Sequence, residues 1–117
     1  MGMELDITLV CVPYQMDVAR WGYALGPQAF LDAGLVEALR ARGHHVREPE
    51  VIALPRGERS RDIVTNLARI AARTSAAVAA GLRRENGFAL VLEGDCTHAV
   101  GAIGGLARIV GPAGVVW

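Results

Sequence analysis

A three-layer α/β/α sandwich with a mainly parallel sheet is the architecture this sequence predicts, on three observations. Two short runs, Asp6 to Val12 and Phe88 to Leu92, are apolar without polar alternation, as strands covered on both faces are. The segments between them repeat apolar residues at helical spacing. The elements then come in the order β, α, β, α, β, α, β, the succession of crossover units that builds a parallel sheet. At 117 residues, 52% hydrophobic and 21% charged, the chain is long enough for one folded domain with a buried core.

The first strand, Asp6 to Val12, is followed by a loop from Pro13 to Leu25. Gly26-Pro27 opens a helix, because proline fits a first turn where its missing amide hydrogen is not needed. Phe30, Leu31, Leu35 and Leu39 continue that helix on one face until Gly43, which can take the left-handed conformation of a helix end. Val46 to Leu54 reads as a weaker strand; Pro49 removes a ladder donor and so assigns it to a sheet edge. Pro55 to Arg61 is polar and reads as a loop.

From Asp62 to Arg84 the spacing of Ile63, Leu67, Ile70, Ala71, Val78 and Leu82 predicts a long amphipathic helix, reinforced by its alanines. Asn86-Gly87 closes it before the strand Phe88 to Leu92. Thr97 is an eligible N-cap for a helix from His98 to Val110. Its glycines at 101, 104 and 105 each cost roughly 1 kcal/mol relative to alanine, which implies close packing as their reason. Gly111 to Gly114 is a turn, and Val115 to Trp117 starts another strand. There is no internal repeat and no low-complexity linker.

Twelve arginines balance twelve acidic residues, with no lysine, and the pI is near 6.8. This predicts no attraction to nucleic acid or anionic lipid. The apolar stretch Ile7 to Pro13 follows Glu4 and Asp6, lacks a basic leader and is too short to span a bilayer, so the expected location is the cytoplasm. Cys11 and Cys96 are far apart and form no CxxC pair, which indicates neither a disulfide framework nor a structural zinc site. Cys11 lies within an apolar strand and reads as a core residue. No GxGxxG follows a strand, and neither a Walker A motif nor a GxSxG elbow is present.

The segment Val91-Leu92-Glu93-Gly94-Asp95-Cys96-Thr97-His98 is what remains. It places an acid, a thiol and an imidazole where a strand gives way to a helix, and the carboxyl ends of parallel strands are where such sheets build their sites. Carboxylate, thiolate and imidazole are all possible ligands of first-row metals. A structural reading stands beside this one, with Asp95 and Thr97 capping the helix, Cys96 a buried thiol and His98 on the surface. His44 and His45 follow Gly43 and read as an exposed turn. Glu93, a charge at the end of an apolar strand, must be solvated or paired.

Three stretches together resemble the amino-terminal part of the arginase, agmatinase and formiminoglutamase superfamily, the ureohydrolases. Leu25-Gly26-Pro27-Gln28-Ala29-Phe30-Leu31-Asp32-Ala33-Gly34-Leu35 is similar to the family's Gly-Pro helix. Val91 to Gly101 resembles its Gly-Gly-Asp-His-Ser motif, and Gly114-Val115-Val116-Trp117 resembles the strand that leads into its Asp-Ala-His-x-Asp motif. The resemblance implies that residues 1–117 are the amino-terminal part of a single ureohydrolase-like α/β domain, incomplete in this chain.

It further implies hydrolysis of a guanidino or related C–N bond in a small molecule, of the arginine, N-hydroxyarginine or agmatine type, with two manganese ions. In the superfamily the histidine of Gly-Gly-Asp-His-Ser binds one of those ions, and the matching residue here is Cys96. Asp95 would support or cap that position, while Glu93 and His98 are candidate site-lining residues. Glu93 replaces the motif's first glycine. A thiolate favours softer metals than manganese, although branches of the superfamily that hydrolyse N-hydroxyarginine also carry Cys there.

With one ligand position the chain is expected to be inactive alone. The unpaired last strand would leave an edge that invites association, and hence a homo-oligomer. A self-contained α/β binding or scaffold module without metal is the rival reading. A deacetylase on a similar fold is a third, less consistent with the Gly-Pro helix and the Gly-Asp-Cys junction.

Overall fold

A computed structural model describes residues 2–117. The central strand is β1, Asp6–Val12, and the residues expected to form a plain loop after it fold into a small antiparallel hairpin, β2 (Tyr14–Gln15) and β3 (Val18–Ala19), followed by a 3-10 turn at Gly22–Leu25. No Asn-Gly or Asp-Gly marks that hairpin; its turn uses Met16 at φ 52, an uncommon left-handed conformation for a residue with a side chain.

The single helix expected to run to Gly43 is two, α1 (Gly26–Asp32) and α2 (Leu35–Ala41). The break is Gly34, whose φ of 93 turns the chain between them, while Gly43, at φ 89, ends the second as expected. The weak strand is likewise two short pieces, β4 (His45–Val46) and β5 (Glu50–Val51), separated by Pro49. Both pair in parallel with β1 on the same side, β4 through Asp6 and Ile7 and β5 through Val10 and Cys11, so together they form the expected edge.

The long helix α3 spans Ile63–Leu82, and its N-cap Asp62 accepts from Thr65 N at 3.0 Å. Strand β6, Gly87–Glu93, pairs in parallel with β1 from Asp6↔Gly87 to Val12↔Glu93. Helix α4, Ala99–Val110, begins one residue later than expected.

Alternating side chains of the two long strands build two cores, which makes the three layers. Ile7, Leu9, Leu90 and Leu92 face Leu31, Leu35, Val36 and Leu39 of α1 and α2. Val10, Val12, Ala89 and Val91 face Ile70, Ala77 and Val78 of α3 and Ala102 of α4. Cys11 is buried, as its strand position implies.

Two of the three α4 glycines do serve close packing. A Cβ on Gly101 would lie 2.9 Å from Ala71 O, and one on Gly105 would lie 2.7 Å from Ser75 O, so α4 rides directly on the α3 backbone. Gly104 does not: its nearest neighbour, Ser75 Oγ, would be 3.7 Å away. Val115 to Trp117 form no strand. With no ladder to hold so short a run, Val116 is fully exposed, although Val115 and Val116 border an apolar cavity of about 470 Å³ with Phe88, Val91 and Leu106.

Candidate functional site

The junction after β6 is built around a close approach that only glycine permits. Gly94 N donates to Val12 O at 3.2 Å, extending the ladder by one bond, and a Cβ on Gly94 would fall 2.2 Å from Tyr14 O. The strand therefore ends pressed against the hairpin that follows β1. Asp95 then turns the chain: Oδ1 accepts from Thr97 N at 3.1 Å, capping a 3-10 turn at Cys96–His98, and Oδ2 accepts from Met16 N at 2.8 Å. One carboxylate thus staples the β6 junction to the β1 loop. Burial acts against its ionisation, but the hydrogen bonds from Met16 and Thr97 and the nearby His98 outweigh that and hold its pKa below the ordinary aspartate value.

Cys96 is exposed at the tip of the strand, the side on which parallel sheets place their chemistry. His98 is its opposite, only 1% exposed, with its ring edge against Tyr14 at a centroid distance of 6.3 Å. Its Nε2 lies 3.9 Å from Asp95 Oδ1 and has no hydrogen-bond partner among the described residues. Burial pushes its pKa down against the opposing pull of the Met16 main chain and the Asp95 charge. Glu93, half-buried, leaves Oε2 buried without a partner; burial and then the Asp95 charge raise its pKa.

These placements redistribute the roles read from the sequence. Asp95 is the cap and Thr97 supplies the amide hydrogen that it captures, whereas α4 itself starts after His98 with no side-chain cap. The structural reading of a buried Cys96 and a surface His98 is reversed on both counts. Helix periodicity explains the reversal: as the turn leads into α4, position 98 faces inward with Gly101 and Gly105, while position 96 faces out. His45 pairs in β4, and His44 Nδ1 accepts from Leu5 N at 3.2 Å, so both belong to the opposite, amino-terminal end of the sheet.

Sequence reasoning missed the hairpin's contribution. Asp17 is buried and accepts from Arg59 at 2.9 Å and from Asn66 Nδ2 at 2.9 Å, and Asn66 in turn binds both the N–H and the C=O of Ser60. This network pins the hairpin to the start of α3. Its members lie up to 49 residues apart, with no short motif to announce them.

Among the described residues no three Asp, Glu, His or Cys side chains converge to hold a metal ion. Both Asp95 oxygens already accept hydrogen bonds, and the His98 ring and Glu93 Oε2 are buried, which leaves Cys96 as the exposed donor at the strand tip. The residues present therefore do not complete a manganese centre by themselves.

No family model matches the sequence. The chain is similar to the arginase of Bacillus subtilis (strain 168), 30% identical over a 123-residue alignment that covers 98% of this chain and 40% of the relative. Similarity to the arginase of Bacillus caldovelox is 30% over 95% of the chain and 39% of the relative; to Arginase-1 of Rattus norvegicus it is 32% over 95% and 36%. The crystal structure of the Bacillus subtilis arginase superposes with a TM-score of 0.71 at 27% identity, covering 87% of this chain and 33% of that one. The chain spans about two fifths of the length of the curated relatives it matches.

Proposed function

The chain belongs to the arginase (ureohydrolase) superfamily, and on that basis we propose that its 117 residues form the amino-terminal part of a single α/β domain of a metal-dependent hydrolase acting on a guanidino or related C–N bond. Cys96 is the metal-ligand position of this part. Asp95 holds the turn that presents it, and Glu93 and His98 build the wall behind. The observation that carries this reading is the exposed thiol at the carboxyl end of β6, set by a carboxylate that also ties down the loop after β1.

The resident metal of the complete enzyme is a manganese pair, with the other ligands supplied from outside these residues, and softer ions compete because of the thiolate. Such a metal pair supplies Lewis-acid activation of water; the residues present do not complete it, so no step of the reaction is assigned to them. The substrate is a small guanidino compound, and the enzyme acts in the cytoplasm.

Two measurements test the reading. Cobalt(II) added to the 117-residue chain is expected to bind weakly and produce a thiolate charge-transfer absorption that Cys96→Ser abolishes and Cys11→Ser leaves intact. No such band in the unmodified chain would remove Cys96 as a ligand. Incubation with manganese and arginine, agmatine or N-hydroxyarginine is expected to give no turnover, and measurable hydrolysis would show that the site is complete within these residues.

A further inference from the structure

A groove that Cys96 does not line lies between the hairpin, the start of α1 and the segment after β5. It is open to solvent and has a volume of about 800 Å³. Its walls are aliphatic: Val18, Leu25 and Val51 line it while remaining 46%, 57% and 57% exposed. Its floor is fixed, because the buried Tyr14 hydroxyl accepts from Leu54 N at 2.7 Å. A cleft of this size with apolar walls and few polar groups is what a small ligand needs.

The polar groups are lopsided in charge. Three arginines line the groove against one carboxylate, Asp17. Arg59 is committed to that carboxylate, donating to Asp17 O at 2.8 Å and to Oδ2 at 2.9 Å, so this pair cancels. Arg20 and Arg56 form no salt bridge and no side-chain hydrogen bond among the described residues. Arg20 is moreover held at φ 62, a left-handed conformation that is strained for a residue with a side chain and concentrates at functional positions. Two unspent guanidinium groups therefore face an aliphatic cleft.

We propose that this groove binds a small aliphatic carboxylate, its charge received by Arg20 and Arg56 and its chain laid against Val18, Leu25 and Val51. The planar guanidinium fork matches a carboxylate in geometry, and the groove's two uncancelled positive charges match it in sign. The site is separate from Cys96 and does not rest on the metal reading. The hairpin is the wall shared by both, through Tyr14 on the groove side and the Met16 N–H on Asp95.

The test is a titration of the isotopically labelled 117-residue chain with hexanoate, hexan-1-ol and inorganic phosphate, followed by amide, arginine side-chain and methyl NMR. Hexanoate is expected to shift Arg20, Arg56, Val18 and Val51 together, saturating with a dissociation constant on the order of millimolar, as a ligand of so few atoms allows. The double variant Arg20→Ala/Arg56→Ala should weaken binding at least about tenfold with its spectrum otherwise preserved, since both side chains are exposed, and Arg20→Lys/Arg56→Lys should retain part of it. Binding of the alcohol as tight as that of hexanoate would overturn the proposal, as would unchanged affinity in the double alanine variant. Phosphate competing as strongly as hexanoate, with the valine methyls unmoved, would reduce the arginines to a surface anion patch and equally overturn it.

Discussion

Strands β1 and β6 run side by side and are alike in composition, yet one is sealed and the other is not. Leu9, Val10 and Val12 of β1 are wholly buried, whereas every residue of β6 stays partly exposed and Phe88 is 45% open. The difference lies in their neighbours. β1 is paired on both sides, by β6 and by the β4/β5 edge; among the described residues β6 is paired on one side only. A strand's composition records the burial it is suited to, and its partners set the burial it receives. β6 has the sequence of an interior strand in an edge position.

Helix α4 repeats the lesson. Arg108 is its one charged residue, and Val100, Ile103 and Val110 face outward. A helix that is apolar nearly all round is suited to a buried position. The two features adjoin, since Phe88 of β6 and Ile103 of α4 line the same apolar cavity.

The contrast predicts unequal costs for equal truncations. Leu9→Ala should destabilise by about 3 kcal/mol, within the range for a fully enclosed leucine, while Leu90→Ala, facing the same helices from β6, should lose roughly half as much because its cavity is already open to solvent. Urea unfolding measures both. Equal losses would mean that β6 is covered in solution, and sedimentation at two concentrations would then show whether a second copy covers it.

Substitutions at the α4 glycines should produce the next largest effect. Gly105→Val drives a side chain into the Ser75 carbonyl and Val78, so about 1–3 kcal/mol of overpacking is expected. Gly104→Ala meets only Ser75 Oγ and should be neutral, or stabilising by up to about 1 kcal/mol through helix propensity. Thermal unfolding separates the two; parallel losses would show that α4 does not pack as closely as the backbone contacts imply.

What the sequence displayed follows the same division between local and long-range causes. The long strands, α3 and α4 could be read because their periodicity is a property of neighbouring residues. The split at Gly34 is masked in the sequence because Leu31, Leu35 and Leu39 keep helical spacing across a glycine at φ 93. The hairpin was hidden because Asp17, Arg59 and Asn66 meet only after folding. At the junction, residue types gave the location but not the orientation. Whether position 96 or 98 faced the core depended on where α4 began, and one residue of helix phase exchanges an exposed thiol for a buried imidazole.

The cap that sets this phase gives the third prediction. Asp95→Ala removes the acceptor for both Met16 N and Thr97 N, and should cost about 1–2 kcal/mol. The loss should be accompanied by faster hydrogen exchange at both amides, Met16 N and Thr97 N, which lie in segments far apart in sequence. If only the Thr97 amide responds, the hairpin is held by its Asp17 network and not by the junction.

The smallest expected effect tests whether the end of β6 is as open as its middle. Glu93 lies where the hairpin covers the strand, and burial with the nearby Asp95 charge raises its pKa in the folded chain. The folded state therefore holds this proton more tightly than the unfolded one. The group's contribution is full below the ordinary glutamate pKa of 4.5 and is lost as pH rises through the raised folded value. Glu93→Gln, neutral at every pH, removes that loss, so its stability relative to the unmodified chain should improve between pH 4 and pH 7, read as the difference in Tm at the two pH values. A difference independent of pH would mean that water reaches the carboxylate, and that β6 is open along its whole length, including the turn that presents Cys96.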